Sequence, residues 1–439
     1  MSLIHPNSGE CVKPELDFQI IPPTQSSVLS GLIKEIRPND NLQSNSGFSI
    51  PNSLTFNFNG GNQYIDSKQT FLALTGKIVN ADGSPIENAF CAPVNALMNF
   101  IFSDVILSMN GHKIDVPDSN YAYKCYLQNL LNHGQDSKST HMGSSIWEKD
   151  EAWHFDSINL EGSSCNQGFI DRYLLVKDSK LFDLYGRLHV DLFNQNRYLY
   201  KNMKFDLTLL RNRDSFYLMG DTKSNYQYII TSALLHVRYV DIHSNILGIH
   251  QKLIANRPLA YPYKRTTTKN FVVPSGLYQY DLEISKKVPN ILVIVFVSNI
   301  AYQGSYDTNP FKFNHFNLSS LDLTIGGYSV LPQTASKLDF KNNLYSRAYY
   351  SLYNSVFKGA IDHGNDISRK EFCNGYTLFV YDLTPDMTSG DNFNLIQNDK
   401  QIVLKLQFET PLESPIYAIC FFEYDALLTF NNFDEVEIY

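Results

Sequence analysis

The chain has 439 residues, 43 % of them hydrophobic and 18 % charged, with a formal net charge of −8. This composition excludes a disordered chain and leaves room for two or three hydrophobic cores. The acidic balance argues against a nucleic-acid groove, which needs a basic face, and 28 Tyr and 29 Phe favour half-buried pleated strands.

The start, "MSLIHPNSGECVKPE", has no basic stretch followed by an apolar one, so no secretory leader is expected. Residues 1–52 read as an N-terminal arm, because "IIPPTQSSVLSG" has paired prolines and no steady period. Residues 53–250 read as a first β-domain. In "SLTFNFNG", Leu54, Phe56 and Phe58 alternate onto one face. "YAYKCYLQNLL", Tyr121 to Leu131, reads as a helix with Tyr123, Leu127, Leu130 and Leu131 on a stripe and Asp118 or Ser119 as cap. Residues 134–168 form a polar loop, long for a compact connection. A strand with Leu188, Val190 and Leu192 opposite Arg187, His189 and Asp191 is predicted next, then one with Phe205, Leu207 and Leu209 facing in.

The stretch "IHQKLIANRPLAYPYKRTTTKNF" reads as a linker, since Pro258 and Pro262 should interrupt any strand. Its basic and aromatic residues could touch nucleic acid, but in an acidic chain a domain connector is the simpler reading. Residues 251–439 then form the second β-domain. "ILVIVFV", Ile291 to Val297, is too short to span a bilayer. A helix over Asn342 to Phe357 places Tyr345, Tyr349, Leu352 and Val356 on one stripe, and a later strand turns Leu404, Leu406 and Phe408 inward.

The two domains repeat one plan. "VILSMNGHKI" matches "LDLTIGGYSV" as strand, glycine turn, strand, and each is followed by a Tyr-rich helix. Then come "YGRLHVDLFNQ" and "NGYTLFVYDLTPD", which align Asp191-Leu192 with Asp382-Leu383. "KFDLTLLRNRDSF" and "YIITSALLHVRYVDI" precede the end of the first copy, as "QIVLKLQFETPLE" and "IYAICFFEYDALLTF" precede the end of the second. Five elements in the same order point to two copies of one sandwich or barrel.

No catalytic signature is present: neither G-x-x-x-x-G-K-[ST], nor G-x-S-x-G, nor H-E-x-x-H. Cys11, Cys91, Cys125, Cys165, Cys373 and Cys420 are scattered without C-x-x-C, so no disulfide framework or zinc ribbon is expected. His133, His141, His154 and Cys165 gather around the long loop, but their spacing matches no metal-ligand pattern. Asp191 and Asp382 lack partner acids or histidines at matching offsets, so each reads as a strand-end Asp that bonds turn amides. No catalytic, metal-binding or cofactor-binding residue is therefore expected, and the chain is not expected to be an enzyme.

One contrast between the copies stands out. Leu378 and Val380 in the second occupy the places of Arg187 and His189 in the first. A strand apolar on both faces must be covered on both, so Leu378 and Val380 are the candidate inter-domain or inter-subunit packing face.

"ELDFQIIPPTQSSVLSG", "YIDSKQTFLALTGKIVNADGSPI", "NPFKFNHFNLSSLDLTIGG" and "GNDISRKEFCNGYTLFVYDLTPDMTSGDNFNLI" resemble one family over about Glu15 to Tyr424. It is the double jelly-roll major capsid (hexon) proteins of Polinton/Maverick elements and adintovirus-like viruses. The resemblance implies an all-β chain of two tandem eight-stranded jelly rolls with a few short helices in the connecting loops. It implies a homotrimeric, pseudo-hexagonal capsomer that tiles an icosahedral shell, touching other trimers and a minor capsid or penton protein. It places the protein in the virion capsid, assembled in host cytoplasm or nucleus, without cofactor, membrane span or sequence-specific nucleic-acid binding. It places the arm at the capsomer base, and the long loop at the outer end or clasping an adjacent subunit. The rival readings are a two-domain β-sandwich glycan-binding protein, with exposed aromatic platforms, and a metal-dependent jelly-roll enzyme, with a His-rich pocket.

Overall fold

The computed structural model describes the chain except residues 1–6, 10, 41, 45–46, 49–50, 88, 116, 223–224, 333–335, 358–363, 386, 388–397 and 432–434. The first residues of the expected arm and the side chain of Val356 lie outside the described residues.

Eight strands build the first sandwich: β1 (Val28–Ile36), β2 (Ser53–Asn59), β3 (Tyr64–Asn80), β4 (Phe102–Met109), β5 (His112–Lys113), β6 (Phe182–Arg187), β7 (Lys204–Arg211) and β8 (Tyr226–Ile242). They form two antiparallel sheets, ordered β1-β8-β3-β6 and β2-β7-β4-β5. Eight more build the second: β9 (Leu259–Val273), β10 (Gln279–Ser285), β11 (Ile291–Ser298), β12 (Leu318–Ile325), β13 (Tyr328–Ser329), β14 (Leu378–Asp382), β15 (Ile402–Phe408) and β16 (Ile416–Phe430). Their sheets run β9-β16-β11-β14 and β10-β15-β12-β13, the first pair of orders shifted by eight. The fold is two tandem eight-stranded jelly rolls. The longer helices lie in the connections: α1 (Tyr121–Asn132), α2 (Gln167–Val176), α3 (Ser244–Asn256) and α4 (Ser346–Phe357).

Alternation explains the inner faces. Leu54, Phe56 and Phe58 of β2 are buried and pair in register with Leu209, Leu207 and Phe205 of β7. Phe58 and Phe205 stack with ring centroids 5.2 Å apart. Leu404, Leu406 and Phe408 of β15 do the same work in the second core. Truncating a fully buried Phe such as Phe56 would cost about 3–5 kcal/mol.

Four local expectations are corrected. Residues 28–36, inside the stretch read as an arm, form β1, paired with β8. Almost all of β1 is exposed, so no buried face imposes an alternating pattern on its sequence. The strand expected at Leu188 to Leu192 instead ends at Arg187, and Asp191 opens a 3₁₀ turn, although Leu188, Val190 and Leu192 are all buried. Pro262 does not interrupt a strand. It lies within β9, an edge strand, where a missing N–H need not break a ladder. The N-cap of α1 is Asn120, without a side-chain cap bond, while Asp118 accepts the Asn120 backbone N–H at 3.0 Å.

Candidate functional site: the seam between the jelly rolls and the open surfaces

The first polar contact of the seam is built by the Asp-Leu segment. Asp191 is buried against Lys124 of α1, with Oδ1 2.8 Å from Nζ. It also accepts the Thr266 backbone N–H at 2.7 Å and the Thr266 hydroxyl at 2.8 Å. Asp191 thus holds the edge of the other jelly roll rather than a local turn. Asp382 does bond locally, accepting the Thr384 N–H at 3.0 Å. Asp118 repeats the device two residues along β9, accepting the Thr268 N–H at 2.8 Å, and Asn120 donates to the Thr268 carbonyl at 3.2 Å. Backbone groups of an edge strand would otherwise invite pairing with another chain; here first-domain side chains satisfy them.

Aromatic rings fill the space beside these bonds. Tyr123 of α1 stacks on Tyr302 at 5.9 Å, which stacks on Tyr417 of β16 at 4.0 Å. Tyr126 stacks on Phe311 at 4.4 Å. These contacts bury α1 nearly all round, not only on its predicted stripe.

The long loop clasps the second jelly roll of its own chain. Lys138 ion-pairs with Asp366, and Lys149 bridges Asp366 and Glu371, the latter at 2.8 Å. The Phe155 ring lies 4.8 Å from that of Tyr376. At the root of the loop, Arg172 of α2 is fully buried and pairs with Asp150 at 2.5 Å. Its Nε also donates to the Pro93 carbonyl at 2.8 Å. Asp150 further accepts Asn166 at 2.8 Å and, across the seam, Asn309 at 3.0 Å. Every oxygen of this buried carboxylate is therefore used, which is the condition for a buried ion pair to be tolerated.

Burial and crowding of like charges set the seam's protonation. Burial first, then Asp191, pushes Asp115 up to about 7 against the pull of Lys124 and Arg265. Burial likewise pushes Glu423 up to about 7, with Lys264 opposing and Asp191, Asp425 and Asp382 adding to the rise. Burial alone would lower the Lys124 ammonium, but Asp191 and Asp115 outweigh it and hold it above its ordinary value. His189 is driven down to about 3, first by burial and then by Lys124, so it is neutral. A cleft of about 900 Å³ opens beside these groups, with Asp191, Glu423, Lys264 and His189 in its wall. His133 and His141 also line it, their rings 6.2 Å apart. Cys165 of that loop cluster bonds elsewhere, its thiol donating to the Gly162 carbonyl. Among the described residues no three His, Cys, Asp or Glu side chains gather as a metal site, and no helix is long and apolar enough to cross a membrane.

Leu378 and Val380 are both buried. Their register partners, Val295 and Val293 of β11, pair in turn with Ile419 and Phe421 of β16, and Phe421 with Thr268 of β9. They therefore share a sheet face with the threonines that Asp118 and Asp191 hold. Sequence reasoning missed Lys124, Asp150, Arg172 and Asn309. The only available signal was a charge inside an otherwise apolar helix pattern, as in "GFIDRYLLV".

Other apolar surface is open. In the arm, Phe18 and Ile21 are each 88 % exposed; in β1, Leu29 and Ile33 are 63 % and 60 % exposed; beside and on α4, Leu344 and Tyr350 are 65 % and 59 % exposed.

No family model matches the chain. In sequence it is 24 % identical over 394 residues to the uncharacterized protein F54H12.2 of Caenorhabditis elegans, across 85 % of this chain and 90 % of that protein. In structure it aligns with a chain of the Sputnik virophage at a TM-score of 0.63 and 12 % identity, covering 100 % of this chain and 94 % of that one. The mavirus major capsid protein aligns at 0.55 and 11 % identity, covering 100 % and 97 %, and the Faustovirus major capsid protein at 0.54 and 10 %, covering 94 % and 92 %. At these identities the likeness is one of fold: nearly the whole chain shares the double jelly roll of viral major capsid proteins.

Proposed function

We propose that the chain is a viral major capsid protein. Three copies would form a pseudo-hexagonal capsomer, and capsomers would tile an icosahedral shell. The observation that carries this reading is the pair of jelly rolls with identical strand order, matched over nearly the full length of the mavirus and Faustovirus major capsid proteins. The open apolar arm, β1 and α4 surfaces support a chain that completes its burial by assembly. A structural rather than enzymatic role and a place in the virion capsid follow from the same reading. Its partners would be further copies of itself and a minor capsid or penton protein.

The finer assignment to Polinton/Maverick or adintovirus-like elements rests on the sequence resemblance alone. For domain limits, we read an arm before Val28, a first jelly roll from Val28 to Ile242, α3 as connector, and a second from Leu259 onward. Leu378 and Val380 we assign to the packing face between the two jelly rolls. Negative-stain images of the purified full chain test the capsomer: class averages with six lobes are expected, and two-lobed particles alone would contradict it.

A further inference from the structure

The cleft between the jelly rolls carries polar groups that neither the seam nor the long loop uses. Its volume of about 900 Å³ lies within the range of small-molecule sites. Tyr263 of β9 stands in its wall and is 6 % exposed, yet its hydroxyl has no hydrogen-bond partner among the described residues. Asn129 of α1, in the same wall, is also 6 % exposed, and its amide bonds nothing among the described residues. A buried polar group left unpaired is destabilising. Two of them, one from each jelly roll, converge on one cleft, which points to a ligand that pairs with both.

The rest of the wall defines the chemistry of that ligand. Amides recur in it: Gln128 and Asn132 beside Asn129 on α1, and Asn194, Gln195 and Asn196 after the Asp191 turn. An amide both donates and accepts, as a sugar hydroxyl does. The charges balance, with Asp191, Glu423 and Asp425 matched by Arg187, Arg197 and Lys264, so the wall favours an occupant without net charge. Phe71 of β3 and Tyr185 of β6 also line the cleft, stacked with ring centroids 5.2 Å apart, and Tyr185 is 36 % exposed. The negative face of such a ring suits the apolar C–H face of a pyranose.

We propose that this cleft binds a neutral oligosaccharide, with the Asn129 amide and the Tyr263 hydroxyl bonding its hydroxyls and the Tyr185 ring packing against one sugar. Both anchoring residues belong to one chain, so the site needs no second copy and does not rest on the capsomer reading. A site built to pair with hydroxyls discriminates strongly against ligands that lack them.

Saturation-transfer difference NMR of the full-length protein tests this. The neutral probes are N-acetylchitotriose, maltotriose and lactose; the charged ones are sialyllactose and spermine. At least one neutral probe should receive saturation, and neither charged probe should outcompete it. Tyr263→Phe and Asn129→Leu should each weaken binding of that probe about tenfold, the loss of one well-made hydrogen bond. Their melting temperatures should stay the same or rise, because each removes a polar group that the folded chain leaves unpaired. A purely structural role would do the reverse, lowering the melting temperature and leaving binding alone. No saturation of any neutral probe, stronger binding of a charged one, or full binding by both variants would overturn the inference.

Discussion

Replacing Asp150 by Ala removes the carboxylate that pairs with Arg172, a guanidinium with no exposed surface. The loss leaves an uncompensated buried cation, which costs about 3–5 kcal/mol. Asn166 and Asn309 lose an acceptor as well, at about 1–3 kcal/mol for each group left unsatisfied, though such terms overlap and do not add in full. A working figure is therefore about 4 kcal/mol. With an unfolding entropy of about 2.1 cal/mol/K per residue, a cooperative chain of this length would melt about 4 °C lower. Differential scanning calorimetry measures the shift. The double variant Asp150→Leu with Arg172→Met should recover at least half of the loss, because it removes both charges and keeps volume. A single variant within 1 °C of wild type, or a double variant as unstable as the sum of the singles, would refute the claim that this pair anchors the loop.

Gly375 sits at φ 108°, and a Cβ there would lie 2.2 Å from the Phe155 ring. Gly375→Ala should therefore cost about 2 kcal/mol or more and speed proteolysis of the 134–168 loop, as followed by limited digestion. Glu423 carries a pKa raised to about 7, so the folded chain binds a proton that the unfolded chain has lost. That contribution is complete below the unfolded carboxylate range and fades as pH rises through about 7. Glu423→Gln should accordingly flatten the fall in melting temperature between pH 5 and 7.5; an unchanged slope would place the effect elsewhere. Leu378→Asp puts a charge on a fully buried site of the seam-facing sheet and should prevent soluble folding or lower the melting temperature by several degrees, whereas Tyr328→Asp, at an 83 % exposed position, should leave it alone.

The strands with one buried face were legible in the sequence. Leu54, Phe56 and Phe58 alternate because one side meets the core and the other meets water or a neighbour. The duplication was legible too, since strand, glycine turn, helix and Asp-Leu segment recur in order. β1 was hidden because it lies at an edge and buries neither face within the chain. Pro262 misled because a proline signals a break only where a strand needs every N–H. The polar anchors were hidden for another reason. Lys124, Asp150 and Arg172 look like solvated charges until the fold brings Asp191, Asn309 and one another within bonding distance. Asp191 and Asp382 align in the sequence, yet Asp382 ends β14 while Asp191 opens a turn four residues past β6, and one holds a neighbouring strand while the other bonds its own turn.

The central claim is that this chain completes itself as a trimer of double jelly rolls. The most direct measurement is the mass of the purified full-length protein by sedimentation equilibrium across a wide concentration range. The account predicts a species of about 151 kDa, three chains of 50.2 kDa. A single species of 50.2 kDa at every concentration, or a dimer that never grows, would contradict it.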